Sequence, residues 1–191
     1  MPAGIRPLPL AACLLLALGG SAVRATQLEH LDTRALVLGS DEIVVAEVES
    51  VRPRWNEAHS KILTDVTVRV SQTLKGGATD RITLTQLGGE VGDVRYTVPG
   101  CPVFTPGEEA LLFVWRDARG RAQVSGLAQG KFDIRRDPTT GEATIQRSVP
   151  GLAVRDARQL RLVPQGQAAP RLRLADLVRE IRMVLDDGAG R

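Results

Sequence analysis

Cysteine is nearly missing from this chain: 191 residues carry two, Cys13 and Cys101, and the first lies in a segment expected to be removed. One remaining thiol excludes an internal disulfide and every zinc site built on paired cysteines. Histidine is equally scarce. His30 in "HLD" and His59 in "NEAH" lack zinc-ligand spacing and read as solvated surface residues; no HExxH is present, so no metal and no cofactor is expected. An excess of one charge is also missing. The chain has 25 basic and 22 acidic residues, and without its first 25 residues, which hold Arg6 and Arg24, it keeps 23 against 22. That balance excludes a general nucleic-acid or anionic-membrane binder. Arginine supplies 22 of the basic residues, scattered rather than run together. Beyond residue 25 no apolar run approaches the ~20 residues of a membrane span.

What is present begins with a leader. Arg6 gives a positive start, Leu8 to Gly19 is an apolar stretch broken only by Pro9, and "GSAVRA" places small residues before a cut after Ala25. This is the pattern of a secretory signal peptide over residues 1–25. "LAAC" at 10–13 resembles a lipoprotein box, but Cys13 precedes most of the apolar run. A secreted or periplasmic protein is therefore expected, with a domain over 26–148, an irregular connector over 149–171 and a packed helix over 172–188.

Periodicity organises the rest. Leu28, Leu31, Ala35 and Leu38 fall at helical spacing, and Gly39 stops that helix. "EIVVAEVESV" (42–51) is β-branched, and "ILTDVTVRVSQTLKG" (62–76) alternates, with Val66, Val68 and Val70 on one side. "RITLTQL" (81–87) repeats the alternation through Ile82 and Leu84. "ALLFVW" (110–115) is apolar on both faces, which predicts a central strand covered on each side. "KFDIRR" (131–136) and "EATIQRS" (142–148) flank "DPTTG", whose proline and glycine predict a hairpin turn. "LRLADLVREIRMVLD" (172–186) is an amphipathic helix, with Leu174, Leu177, Val178, Ile181, Val184 and Leu185 on one face. No β-α-β alternation appears. The expected fold is mostly β: a small antiparallel OB-like barrel with an N-terminal helix and a C-terminal amphipathic helix.

Chemistry-bearing patterns are few. Cys101 sits in "PGCP", and the flanking prolines preclude a helix start there that could lower its pKa. Neither histidine has a triad setting, so the thiol reads as structural, with a thiol-dependent enzyme or redox protein as the alternative. The glycines of 88–92 lack the lysine and the helix of a phosphate loop and read instead as a crossover at the barrel end. Trp55 stands in the polar stretch "RPRWNEAHSK", either tucked in or forming a contact surface. The contact surface is expected on loops 52–61 and 86–104, at Arg54, Trp55, Asn56, Arg95 and Tyr96.

"SDEIVVAEVESV", "VTVRVSQTLKG" and "GEEALLFVW", in that order over about residues 40–116, resemble the netrin-like module of tissue inhibitors of metalloproteinases, an OB-type barrel. "QLGGEVG", "GEEALLF" and "GLAQGKF" are similar to segments of secreted bacterial proteins of uncharacterised function. The resemblance implies a non-enzymatic binding module whose partner is another extracytoplasmic protein such as a metalloprotease. The animal inhibitors chelate zinc through an N-terminal cysteine. A mature chain beginning Thr26-Gln27 has none, so that mechanism does not carry over. A structural subunit of a surface assembly is the remaining alternative.

Overall fold

A computed structural model describes residues 27–147, 153–156, 161–163 and 172–189. The expected leader and much of the expected connector lie outside the described residues. The chain runs through β1 (Gln27–Glu29), α1 (Thr33–Leu38), β2 (Glu42–Trp55), β3 (Ile62–Lys75), β4 (Arg81–Leu87), β5 (Gly89–Val91), β6 (Val94–Tyr96), β7 (Glu109–Arg116) and β8 (Ala122–Val124). A short 3-10 turn (Leu127–Gly130) leads to β9 (Lys131–Arg136), β10 (Ala143–Arg147), β11 (Ala153–Asp156), β12 (Arg161–Val163), β13 (Leu172–Arg173) and α2 (Leu174–Ala189).

Five of these strands close a barrel. β2 pairs with β3, β3 with β4, β4 with β8, β8 with β7, and β7 returns to β2. Counted within the barrel, the order is first, second, third, fifth, fourth, the closed Greek-key arrangement of an OB-type fold. All contacts are antiparallel except β4 with β8, which meet in parallel at Leu84 and Ala122. The barrel interior is filled by alternate residues of each strand, including Val44, Ala46, Val66, Val68, Leu84 and Leu112. Each buried valine or leucine among them contributes ~1.5–3 kcal/mol by leaving water.

The strand at 110–115 is covered on both sides, for a reason visible in its pairings. One edge of β7 pairs with β2; the other is shared, its first half bonded to β9 and its last three residues to β8. Ala110, Leu112 and Val114 point into the barrel, while Leu111 and Phe113 face a second core. Leu36, Val37, Ile43, Phe132, Ile134 and Ile145 share that core with the fully buried Ile181 of α2 and with Leu177, at 4 % exposure. Leu174, Val178, Val184 and Leu185 pack against it. α2 therefore covers the outer face of the barrel. Asp137 organises the expected β9–β10 turn: its carboxylate accepts from the backbone N–H of Thr139 and of Thr140, both at 2.8 Å.

Four expectations need correction. The first helix is shorter than its apolar spacing suggested. Leu28 belongs to β1, Asp32 caps α1 by accepting from Ala35 N at 2.8 Å, and Leu36 and Val37 are buried while Leu38 is exposed. His30 precedes the helix and is half-buried rather than solvated, with its Nε2 3.2 Å from Nη2 of Arg147. The stretch 52–55 is strand, not loop. β2 and β3 stay paired out to Trp55 and Ile62, beyond the end of the β7 pairing at Glu47, so Pro53 stands where β7 makes no demand on its missing N–H. Part of the connector is also paired: β1, β11 and β12 form a small sheet, parallel and then antiparallel. Strands of three or four residues show too few alternations to be read from sequence.

Candidate functional site: a capped cavity at the barrel end

The stretch 88–104 leaves β4 and crosses the end of the barrel as a cap. Its first part is a hairpin, β5 against β6, with Glu90 opposite Arg95. Three hydrogen bonds pin the cap: Gly88 N to Ile62 O at 2.9 Å, Thr64 Oγ1 to Gly88 O at 2.6 Å, and Ala128 N to Gly100 O at 2.8 Å. Gly89 makes the close approach possible. Its φ is +133°, and a Cβ there would stand 2.5 Å from Thr64 Oγ1 and 2.9 Å from Pro53 Cβ. The glycine-rich start expected to cross the barrel end does so, but as a paired hairpin.

Beneath the cap lies a cavity of about 580 Å³. Val51, Val66 and Phe104 bring the barrel interior to its inner surface, and Val98 and Pro102 bound it from the cap. Phe104 is held from elsewhere by the buried Lys131, whose ammonium stands 5.0 Å from the ring centroid and pairs with Glu108 at 2.9 Å and with Asp133. Of the residues lining the cavity, Leu87, Tyr96 and Val103 are exposed large hydrophobics. These are three of the eight exposed large hydrophobic residues among the described residues, gathered in one lining.

One polar side chain stands out in this apolar lining. β4 alternates Ile82, Leu84, Gln86 toward the interior, so Gln86 occupies an inward barrel position where the pattern supplies aliphatics. It is 7 % exposed, it lines the cavity, and its Nε2 has no hydrogen-bond partner. Leaving an amide buried and unpaired costs ~1–3 kcal/mol, and native folds seldom retain one without a use for it. The signal was present in "RITLTQL": a glutamine in phase with two core residues.

Cys101 is buried at 8 % exposure in the same lining. Burial pushes its thiol pKa up, against a smaller lowering by a hydrogen bond from the Leu87 backbone. No histidine lines the cavity. A neutral thiol without a base nearby has the character of a packing group.

The residues expected to form the contact surface divide into two sets. Arg95 and Tyr96 line the cavity. Arg95 is spent on Glu90, with its Nε and Nη2 at 2.8 and 2.6 Å from Oε2. Arg54, Trp55 and Asn56 stand outside the lining. Arg54 donates to Asp65 at 2.6 Å. Asn56 shapes the β2–β3 turn, its Oδ1 accepting from Ser60 N at 2.8 Å and Lys61 N at 3.0 Å. Trp55 is half-buried and stacks on His59, their ring centroids 6.2 Å apart. All three thus have local structural duties. No group of three potential metal ligands occurs among the described residues, and no helix among them is long and apolar enough to cross a membrane.

Fold and site together define a small OB-type barrel carrying a capped, largely apolar cavity at one end. Comparison with protein-family models, curated proteins and solved structures returns no match for this chain.

Proposed function

We propose that this chain is a secreted or periplasmic, non-enzymatic binding module that engages another extracytoplasmic protein through the capped end of its barrel. The resemblance of residues 40–116 to the netrin-like module makes a secreted metalloprotease the first partner to test. The observation that carries the reading is the set Leu87, Tyr96 and Val103, exposed large apolar side chains that all line the one cavity. Monomeric surfaces keep large apolar groups apart, and a gathered set marks a contact site. The thiol-enzyme alternative loses support, because the Cys101 thiol is buried and its pKa is pushed up.

Site-specific photocrosslinking tests this. A benzophenone amino acid replaces Val103 at the mouth or, as a control, Arg119. Arg119 lies in the turn after β7, at the barrel end where β2 begins, opposite the cap. In the native exported fraction, position 103 should give a discrete adduct with one protein and position 119 none. Equal adduct patterns at both positions, or none at 103, would remove the capped end as the contact surface.

A further inference from the structure

We propose that the cavity under the cap is a binding site for a neutral, mainly apolar small molecule carrying a carbonyl-type oxygen, which accepts a hydrogen bond from Gln86 Nε2. This goes beyond the protein contact proposed above and does not depend on it.

Four observations carry the assignment. The cavity measures about 580 Å³, within the 300–1,000 Å³ of sites that enclose drug-sized molecules. Its inner surface is aliphatic and aromatic, formed by Val51, Val66, Val98, Pro102 and Phe104. Apolar ligands gain ~25 cal/mol for each Å² they remove from water there. Gln86 Nε2 is buried and unpartnered, so an acceptor oxygen brought to it removes a standing penalty instead of creating one. Finally, the charged groups in the lining, Glu90 and Arg95, are paired to each other. An anion would find no free cation in that lining and would meet the Glu90 carboxylate. The Thr64 hydroxyl is likewise engaged, donating to Gly88 O, and the Cys101 thiol is uncharged and buried. Tyr96 and Thr97 add hydroxyls to the lining, and Gln86 is the donor buried within its apolar part. That selects an uncharged lipophilic molecule with a ketone, ester or amide oxygen toward one end.

The probe is 6-propionyl-2-dimethylaminonaphthalene, a neutral aromatic ketone whose emission shifts to the blue in apolar surroundings. Titrated into the purified protein, it should bind saturably at one site with a blue shift. The anionic 1-anilinonaphthalene-8-sulfonate should bind at least about tenfold more weakly. Gln86→Leu should weaken the ketone by about three- to tenfold, the worth of one neutral hydrogen bond, and Val51→Trp, which places an indole inside the cavity, should weaken it by at least about tenfold. Melting curves establish that each variant folds. Cys101 supplies a readout that needs no variant. Its modification by methyl methanethiosulfonate, followed by mass spectrometry of its peptide, should slow as the probe saturates. Non-saturable binding, equal affinity for the sulfonate, undiminished affinity in Gln86→Leu, or an unchanged Cys101 rate at probe saturation would each overturn the assignment.

Discussion

Replacing Gln86 by leucine should make this protein more stable. Gln86 is 7 % exposed on the inward face of β4, two residues beyond the fully buried Leu84, and its Nε2 has no partner. Removing an unpaired buried amide nitrogen relieves ~1–3 kcal/mol of desolvation cost. Leucine also adds apolar surface to the lining that residue 86 shares with Val51, Val66 and Phe104, although the side facing the open cavity gains little. The net expectation is a gain of about 1–2 kcal/mol. At roughly 2–4 °C per kcal/mol for a domain of this size, the melting temperature should rise by ~2–8 °C. Urea titration measures the free energy directly, and an unchanged slope against denaturant would establish that only stability moved. Leu84→Ala is the control on the same face: it leaves a cavity in a packed layer and should lose ~2–5 kcal/mol. Opposite signs at two neighbouring inward positions would mean that the core tolerates a polar residue at one of them for a reason other than stability. A loss of 1 kcal/mol or more in Gln86→Leu would refute the reasoning, because the amide would then belong to a satisfied network.

Two further outcomes follow from the packing. Cys101 should react slowly with N-ethylmaleimide in the native protein, and Cys101→Ala should shift stability by less than ~1.5 kcal/mol. Its folded pKa is raised, so the native state holds the proton more tightly than the unfolded chain. That stabilisation is complete below the ordinary thiol pKa and is lost as pH rises through it toward the raised value; urea titrations from neutral to alkaline pH should show this slope vanish in the alanine variant. Ile181→Asp should cost ~4 kcal/mol or more by placing a charge in the second core, whereas Arg179→Ala, on an exposed residue paired only with Asp176, should stay within ~0.5 kcal/mol. A melting temperature unchanged in Ile181→Asp would mean that α2 is not a structural cover of the barrel.

Where backbone period and burial coincide, the chain could be read directly. Val66 and Val68 alternate because β3 has one face in the barrel, and "ALLFVW" is apolar throughout because β7 separates two cores. The α2 stripe was equally legible, since a helix with six apolar residues on one side must be covered. The first helix misled because Leu28 and Leu38 fit a helical spacing by chance, while the residues that reach the core are Leu36 and Val37. Arg54 and Trp55 looked like a loop because their stretch is polar. Strand pairing does not need apolar residues once it extends beyond the core.

From sequence alone came the mostly β architecture, the near balance of charge, the lone thiol among the described residues and the crossing of the barrel end by 88–104. These follow from composition, period and glycine, which act locally along the chain. Tertiary structure decided the site. The cavity exists only because the cap is pinned to Ile62, Thr64 and Ala128, residues distant in sequence that barrel closure brings under one roof. Gln86 acquired its meaning the same way: a glutamine in a strand is ordinary until closure buries it, and the unmet hydrogen bond is a property of what surrounds it rather than of the residue.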